Sequence, residues 1–276
     1  MKKIIINGPD KSIELSNSNP ISFILGPCVI ESKEKAFEAA DFLKKLSEKL
    51  NFNFIYKSSF DKANRSSINS FRGPGLDKGL EILAYVREEF RIPVLTDVHN
   101  ESQIKYVSEV VDYIQTPAFL CRQTDFIVSV SKSMKPVNIK KGQFLSPEEM
   151  ANVAKKALST GNDNISLCER GTTFGYNNLV VDFRGLSIMK QSGLPIIFDA
   201  THSVQLPGAK GNSSGGDRKF VSNLALAAAT QKIAGIFIET HPFPDDAPCD
   251  GPNMVAFENL EELMIKILKI DNLVKN

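Results

Sequence analysis

A stretch rich in serine and asparagine, between positions 57 and 72, carries four positively charged residues. They are Lys57, Lys62, Arg65 and Arg72, and Asp61 is the single acid among them. Ammonium and guanidinium groups bind phosphate and carboxylate oxygens through charge-assisted hydrogen bonds. A solvated basic loop is the ordinary alternative for such a segment, but the residues described below favour an anion-binding site.

A second set of residues has the chemistry of a metal site. Cys28, His202, Glu239 and Asp250 offer one sulfur, one imidazole nitrogen and two carboxylates. Such mixed ligands suit Zn²⁺, Fe²⁺ or Mn²⁺ and fit Mg²⁺ poorly. No two of them stand at a recognised short metal-binding interval, so a buried thiol without a metal remains the alternative for Cys28.

Eight apolar or β-branched runs alternate with helical patterns along the chain. The runs are 23–30, 54–57, 93–98, 113–116, 137–140, 165–169, 195–200 and 235–239. The helical patterns are 33–50, 75–90, 101–110, 124–133, 146–159, 183–192, 219–234 and 258–268. Strands that are each followed by a helix predict an α/β fold, a closed (β/α)₈ TIM barrel. The alternative is an open doubly wound sheet, whose Gly-rich phosphate fingerprint after the first strand is missing from this sequence.

Two further segments stand outside this alternation. The N-terminal sequence KIIINGPDKSIEL predicts a short β-hairpin. We expect one barrel domain over residues 1–276, in which residues 1–20 form the N-terminal hairpin extension. The segment 206–218, LPGAKGNSSGGDR, is too rich in glycine and serine for a core element. It predicts a mobile lid after the seventh strand.

In a barrel of this kind, the carboxyl ends of the strands converge on the active site. Each predicted strand ends in a group that can bind, titrate or coordinate, and in chain order these are Cys28, Lys57, Asp97 with His99, Gln115, Lys140 with Lys141, Glu169 with Arg170, Asp199 with His202, and Glu239 with His241. Four cations are expected to form one cradle for two phosphorylated substrates, or for one substrate bearing phosphate and carboxylate: Lys57, Lys62, Lys140 and Arg170, with Arg65 farther out along the loop. We interpret His241 as structural.

Composition limits the class of protein. Lys+Arg number 33 and Asp+Glu 32, for a net charge of +1, and such a chain without an aromatic–basic strip is not expected to bind nucleic acid. Four cysteines lie far apart without a CxxC pair, no signal peptide is visible, and no apolar run approaches the roughly 20 residues of a membrane span. We expect a cytoplasmic protein with free thiols, no membrane partner and no organic cofactor.

Eleven strings, in order along nearly the whole chain, resemble the 3-deoxy-D-manno-octulosonate 8-phosphate synthases, also called 2-dehydro-3-deoxyphosphooctonate aldolases. The strings are GPCVIES at 26–32, YKSSFDKANRSS at 56–67, FRGPGLDKGL at 71–80, TDVH at 96–99, QTPAFLCRQTD at 115–125, KKGQF at 140–144, CERGTTFGYNNLVVD at 168–182, DATHSVQLPG at 199–208, SSGGDRKFV at 213–221, ETHP at 239–242 and CDGPN at 249–253.

The resemblance implies a transferase that condenses phosphoenolpyruvate with D-arabinose 5-phosphate and water. The products would be 3-deoxy-D-manno-octulosonate 8-phosphate and inorganic phosphate, in the lipopolysaccharide (Kdo) biosynthesis of Gram-negative bacteria, and the enzyme would be a homotetramer. The alternative is the sister enzyme that makes 3-deoxy-D-arabino-heptulosonate 7-phosphate from erythrose 4-phosphate. The sister family looks like it carries Lys-Pro-Arg-Thr where this chain reads KANRSS at 62–67. Asn64 is the inserted residue, and it favours the five-carbon sugar.

The resemblance also implies residue roles. The catalytic candidates are Lys57, Lys62, Asp97, His99, Lys140 and His202, of which the aspartate and histidines would handle protons of the water and the aldehyde. The phosphate of phosphoenolpyruvate would be held by Lys140, Arg170 and the region of Ala118. Its carboxylate side would be held by Lys57, Ser59, Lys62 and Gln115, with Phe119 and Gln143 lining the site. The arabinose phosphate would be held, partly from a neighbouring subunit, by Asn64, Arg65 and Ser66.

The family that these strings resemble has a metal-dependent branch, with cysteine at the position of Cys28, and a metal-independent branch with asparagine there. Cys28 assigns this chain to the first branch, whereas CDGPN at 249–253 is similar to the second. A bound metal would orient or polarise the aldehyde or the water as a Lewis acid.

The Cys28→Asn variant is therefore expected to keep measurable turnover without metal, because the CDGPN segment already suits that chemistry. The measurement is phosphate release in the presence of a chelator, with the wild-type chain under the same conditions as the control. A folded Cys28→Asn variant without any turnover would contradict this expectation.

Overall fold

A computed structural model describes residues 2–208 and 215–276 of the chain. Within these ranges, eight parallel strands alternate with eight α-helices. The strands are β1 Ser22–Gly26, β2 Phe54–Lys57, β3 Val94–Asp97, β4 Tyr113–Thr116, β5 Val137–Lys140, β6 Ile165–Glu169, β7 Ile196–Asp199 and β8 Gly235–His241. The helices are α1 Lys33–Leu50, α2 Leu76–Phe90, α3 Glu101–Val110, α4 Thr124–Lys132, α5 Met150–Leu158, α6 Arg184–Lys190, α7 Val221–Ala229 and α8 Phe257–Lys275.

The eight strands close into a ring. Neighbouring strands pair in parallel from β1 through β7, and β8 pairs with both β7 and β1. In the closing pair, Ile197 lies opposite Gly235, and on the other side Phe23 lies opposite Ile236. This closure confirms the predicted (β/α)₈ barrel and excludes the open doubly wound sheet.

The strands are buried on both faces, which explains their composition. All residues of all eight strands are buried, and Val, Ile, Leu and Phe dominate them, as is usual for parallel strands covered by helices. The helices contribute an apolar face toward the strands. In α1, for example, that face consists of Ala36, Ala39, Ala40, Leu43 and Leu46.

Helix boundaries differ from the predicted ones where turns replace α-helix. Helix α5 begins at Met150, because the residues before it form a tighter turn in which the N–H of Met150 donates to the carbonyl oxygen of Pro147 at 3.3 Å. Helix α7 ends at Ala229, shortly before Lys232 takes a left-handed backbone conformation with φ of 51°. Helix α8 extends to Lys275, beyond its predicted end.

The predicted N-terminal hairpin is present and closes the bottom of the barrel. Its strands, Ile4–Asn7 and Ser12–Leu15, pair antiparallel around the Gly-Pro-Asp turn. The apolar side chains on one face are buried against the barrel interior, and they are Ile4, Ile6, Ile13 and Leu15. Their partners include Ile24, Ile55, Leu95 and Tyr113. The hairpin therefore plugs the end of the barrel opposite the strand carboxyl ends.

The predicted lid is only partly described. Gln205 and Leu206 pair antiparallel with Gly216 and Gly215, respectively, and form the base of a loop. Residues 209–214 of the predicted lid lie outside the described residues. Each helix in the described ranges is too short or too polar to span a bilayer.

The hairpin offers a matched pair of substitutions. Ile6 is fully buried, whereas its neighbour Ile5 is 41% exposed on the opposite face of the same strand. We expect Ile6→Ala to lower the free energy of unfolding by about 2–5 kcal/mol, because it leaves a cavity in the barrel plug. Ile5→Ala should change it by about 0.5 kcal/mol or less. Urea unfolding monitors both, and equal losses would show that the hairpin does not pack into the barrel.

Candidate active site

A cavity of about 390 Å³ opens at the carboxyl ends of the barrel strands. Most of the site residues predicted from sequence line it, and these are Lys57, Lys62, Asn64, Arg65, Ser66, Asp97, His99, Ala118, Phe119, Lys140, Gln143, Arg170, His202 and Asp250. The other predicted residues lie behind this lining and contact it, and these are Cys28, Ser59, Gln115 and Glu239. Barrel closure thus gathers side chains that are far apart in the sequence.

Lys57, the last residue of β2, is buried between two carboxylates. Its Nζ lies 3.1 Å from Oε1 of Glu239 and 3.5 Å from Oδ2 of Asp97. It also donates to the carbonyl oxygen of Cys28 at 3.3 Å. The Nζ of Lys62 lies 3.9 Å from the same Glu239 oxygen. Glu239 on β8 therefore draws two ammonium groups to one side of the cavity.

A second ammonium–carboxylate pair lies on the other side. Nζ of Lys140 is 2.6 Å from Oδ2 of Asp199, and the same oxygen is 2.8 Å from Nδ1 of His202. The ring of Phe237 lies beneath this pair, with its centroid 4.1 Å from the ammonium. Because Nδ1 of His202 faces Asp199, its Nε2 faces Oε2 of Glu239, 3.8 Å away.

Asp97 is held from below by a chain of buried hydrogen bonds. Its Oδ2 accepts from the Ser59 hydroxyl, and its Oδ1 accepts from Nε2 of Gln115 at 2.6 Å. Gln115 in turn accepts from Nδ2 of Asn138 at 2.9 Å, and Asn138 accepts from the Ser166 hydroxyl at 2.9 Å. Ser59 and Gln115 therefore orient the Asp97 carboxylate, and their contact with substrate stays a prediction.

The carboxylates around the cavity are held ionised by the cations beside them. Burial alone would raise their pKa values, but neighbouring ammonium and imidazole groups hold the pKa below its usual range at Asp97, Asp199, Glu239 and Asp250. At Asp97 these groups are Lys57, Lys62 and Lys140. These buried acids neutralise part of the positive charge of the predicted anion cradle.

Two guanidinium groups keep N–H groups for a ligand. Nη2 of Arg170 donates to Oε1 of Gln205 at 3.0 Å, but its buried Nη1 has no hydrogen-bond partner among the described residues. Nε of Arg65 is also buried without a partner in the part of the chain that the structure describes. A buried donor left unpaired is costly, so both positions favour an acceptor from outside the protein, such as a phosphate oxygen.

The loop after β2 carries residues 64–66 to the cavity wall. The ends of this loop are tied together, since the N–H of Lys62 donates to the carbonyl oxygen of Arg72 at 2.7 Å. The guanidinium of Arg72 pairs with Asp61. Of the four cations in this segment, Lys57, Lys62 and Arg65 line the cavity, and Arg72 closes the loop that holds them.

The predicted metal ligands fall into two overlapping groups within the described ranges. His202, Glu239 and Asp250 offer donor atoms within 4.8 Å of one another, and so do Cys28, Cys249 and Asp250. Oε2 of Glu239 is buried and has no hydrogen-bond partner in the described part of the chain. One group offers sulfur and carboxylate donors and the other offers nitrogen and carboxylate donors, which are the ligand types of a borderline-soft divalent metal. The residues present therefore fit a metal site.

The functional residues that sequence reasoning missed act through their neighbours. Asp199 was visible at a strand end, and its three-residue spacing from His202 in Asp-Ala-Thr-His could have suggested their pairing. Gln205 donates to Oδ1 of Asp250 at 3.0 Å, which links the metal ligands to Arg170, and no spacing signals this. Phe237 lies inside β8, where its apolar character indicates only a core position.

Two strand-end residues are bound away from the cavity. Nε2 of His241 lies 2.9 Å from Oε1 of Glu31, and its Nδ1 accepts from the N–H of Phe243 at 3.0 Å. Both ring nitrogens are thus occupied, in agreement with a structural role. The buried ammonium of Lys141 donates to carbonyl oxygens, including that of Gly171 at 3.2 Å, and joins the loops after β5 and β6.

Known proteins are similar to this sequence over nearly its whole length. The family model described as the DAHP synthetase I family matches residues 4–276. A 2-dehydro-3-deoxyphosphooctonate aldolase of Magnetococcus marinus is 59% identical over 264 residues, which cover 96% of this chain and 92% of the relative. The protein of the same name from Francisella tularensis subsp. novicida is 57% identical, with 96% of each chain covered. That of Thioalkalivibrio sulfidiphilus is 56% identical, with 95% of this chain and 94% of the relative covered. The chain therefore belongs to the DAHP synthetase I family.

Proposed function

We propose that this chain condenses phosphoenolpyruvate with D-arabinose 5-phosphate and water, giving 3-deoxy-D-manno-octulosonate 8-phosphate and inorganic phosphate in Kdo biosynthesis. The observation that carries the proposal is the strand-end cavity, in which Arg170 and Arg65 hold buried N–H groups for a ligand. Relatives at 56–59% identity bear the name 2-dehydro-3-deoxyphosphooctonate aldolase, which refers to the same octulosonate product.

Phosphoenolpyruvate needs two cationic patches, because its phosphate and carboxylate lie at different ends of a three-carbon unit. Lys140 and Arg170 would take the phosphate, and Lys57 and Lys62 would take the carboxylate. The ring of Phe237 lies between the two patches, with its centroid 4.1 Å from Nζ of Lys140 and 5.4 Å from Nζ of Lys57. This buried ring packs against both ammonium groups and helps to fix the two patches relative to each other.

The sugar phosphate would bind at the loop after β2. Asn64, Arg65 and Ser66 line the same cavity as Asp97 and His99. A phosphate held by this loop would let the aldehyde end of the sugar reach the cavity interior. Arg65 supplies the buried N–H that such a phosphate can accept from.

In the reaction, C3 of phosphoenolpyruvate forms a bond to the aldehyde carbon, water adds to C2, and cleavage of the C2–O bond releases phosphate. The aldehyde oxygen gains a proton and the attacking water loses one. Burial lowers the pKa of His99, and its Nδ1 has no partner among the described residues. A neutral imidazole can accept a proton, so His99 joins Asp97 and His202 as a candidate for these transfers. The nearby ammonium groups stabilise the negative charge that develops.

The sister reaction with erythrose 4-phosphate is the less favoured candidate. The family description covers that activity in name, but the relatives at 56–59% identity carry the octonate name. Within the chain, Asn64 extends the loop that would hold the sugar phosphate. That insertion favours the five-carbon aldehyde.

We also propose that a divalent metal, Zn²⁺, Fe²⁺ or Mn²⁺, binds at Cys28, His202, Glu239 and Asp250. When bound, it would supply Lewis-acid polarisation of the aldehyde or the water. Asp199 supports this assignment because its Oδ2 lies 2.8 Å from Nδ1 of His202. A carboxylate on the Nδ1 side directs Nε2 toward the metal, which is the usual arrangement of a ligating histidine.

A homotetramer in the cytoplasm completes the proposal. Phe174 and Tyr176, in the loop after β6, are 71% and 99% exposed. Large apolar side chains exposed together favour burial against another protein surface, here a neighbouring copy of the chain.

The direct test is phosphate release from phosphoenolpyruvate, with D-arabinose 5-phosphate or erythrose 4-phosphate as the second substrate. We expect turnover with arabinose 5-phosphate to exceed that with erythrose 4-phosphate by about tenfold or more, because the cavity binds the longer sugar at both ends. The reverse preference would identify the sister enzyme, and the absence of phosphate release with either sugar would refute the proposal.

A matched pair of arginine substitutions tests the site within the same assay. Arg170→Lys keeps the charge but loses the planar guanidinium that can bind two phosphate oxygens, so we expect about a hundredfold lower kcat/KM. Arg184→Lys changes an exposed arginine paired with Asp182 on the surface and should leave kcat/KM unchanged. Equal effects of the two variants would argue against a role of Arg170 in binding phosphate.

Asp199 provides a test of the metal assignment. Asp199→Asn removes the negative charge that orients His202, and we expect about 10–100-fold weaker binding of the divalent metal. Competition with a chromophoric chelator measures this affinity directly. The control is Asp182→Asn, because Asp182 is half-exposed and pairs with Arg184. Unchanged metal affinity in folded Asp199→Asn would show that His202 is not held for a metal by this carboxylate.

A further inference from the structure

Cys249 lies directly against two of the proposed metal ligands. Its Sγ is 2.9 Å from Sγ of Cys28, and the Cys28 thiol donates to Oδ2 of Asp250 at 3.1 Å. The donor atoms of Cys28, Cys249 and Asp250 all lie within 4.8 Å of one another, and both sulfurs are buried. This spacing allows the three side chains to share one ion.

The backbone of the loop after β8 directs two successive side chains to the same point. Asp250 has a left-handed conformation with φ of 51°, which is uncommon for a residue other than glycine. The N–H of Asn253 donates to the carbonyl oxygen of Asp250 at 2.8 Å. Nε2 of Gln205 donates to Oδ1 of the Asp250 side chain at 3.0 Å. Unusual backbone conformations persist where the surroundings hold them, often at functional sites. Here the result is that Cys249 and Asp250 both contact Cys28.

Packing alone accounts poorly for this contact. Cys249 does pack with Val29 and Met254 in a small apolar cluster, and a buried thiol needs no polar partner. However, its sulfur contacts the Cys28 sulfur, and the Cys28 thiol in turn donates to the Asp250 carboxylate.

We propose that Cys249 is a second sulfur ligand of the divalent metal, beside Cys28, with Asp250 as the carboxylate that both ligand groups share. The inference rests on the proposed function only in that a metal binds in this cavity. Each thiol releases its proton to solvent on coordination. Two thiolates make the site softer than the set inferred from sequence, so this chain should prefer Zn²⁺ over Mn²⁺.

Spectroscopy of the Co²⁺-loaded chain counts the sulfur ligands without any turnover. Thiolate coordination gives Co²⁺ a near-ultraviolet charge-transfer band. We expect Cys249→Ser to lose about half of this band, Cys28→Ser to lose a similar share, and the double variant to lose all of it. The affinity of Cys249→Ser for Zn²⁺, measured by chelator competition, should fall about 10–100-fold.

The matched control is Cys121→Ser. Cys121 is also a buried thiol, and its sulfur accepts from the N–H of Gly142 at 3.3 Å, but it belongs to neither ligand group. Its variant should keep the wild-type band and affinity. Circular dichroism and thermal unfolding check each variant, and Cys249→Ala replaces Cys249→Ser if the latter misfolds.

Two results would overturn the proposal. One is an unchanged band in folded Cys249→Ser together with complete loss in Cys28→Ser, which would make Cys249 a packing residue. The other is the absence of a thiolate band in the Co²⁺-loaded wild-type chain. The phosphate-release assay is independent of both, since a chain with a two-sulfur spectrum and no turnover would refute only the proposed reaction.

Discussion

The pairing of buried lysines with buried carboxylates at the mouth of the barrel is the constraint on which the rest of the site depends. Lys57 pairs with Glu239, and Lys140 pairs with Asp199. A charge buried without a partner costs several kcal/mol, and breaking such a pair typically costs about 3–5 kcal/mol. These cations can therefore lie inside the protein only where the carboxylates hold them. The first pair joins β2 to β8 across β1, and the second joins β5 to β7 across β6, so each pair ties together two strands that flank a third.

The same pairing explains how the cavity can attract anions without being an unstable cluster of positive charge. Glu239 and Asp199 lie behind the lining of the cavity, whereas Lys57 and Lys140 belong to that lining. The guanidinium of Arg170 donates to Gln205 through Nη2, and its buried Nη1 has no hydrogen-bond partner among the described residues. A bound phosphate would then complete hydrogen bonds that the protein leaves open, rather than displace existing ones.

The fold was predictable from the sequence because the alternation of strands and helices is regular and each strand carries an apolar or β-branched run that ends in a polar group. The gathering of Lys57, Lys140 and Arg170 followed from barrel closure alone. What the sequence could not show was the depth of each side chain. Ser59 and Gln115 occupy the same strand ends as cavity residues, yet both point to the Asp97 carboxylate. The resemblance implies a substrate contact for both residues, and that contact stays a prediction, because a motif records position along the chain and not the layer within the barrel.

A continuous row of contacts connects the two halves of the site. Arg170 binds one end of the Gln205 amide, and the other end donates to Asp250, which accepts from the Cys28 thiol. A single amide thus spans from the proposed phosphate site to the proposed metal site. The amide oxygen of Gln205 can only accept and its nitrogen can only donate. The orientation in which the oxygen accepts from Arg170 therefore directs the nitrogen to the carboxylate of Asp250. An anion at Arg170 and a cation at Asp250 therefore act on one shared side chain, and each would stabilise the geometry that the other needs.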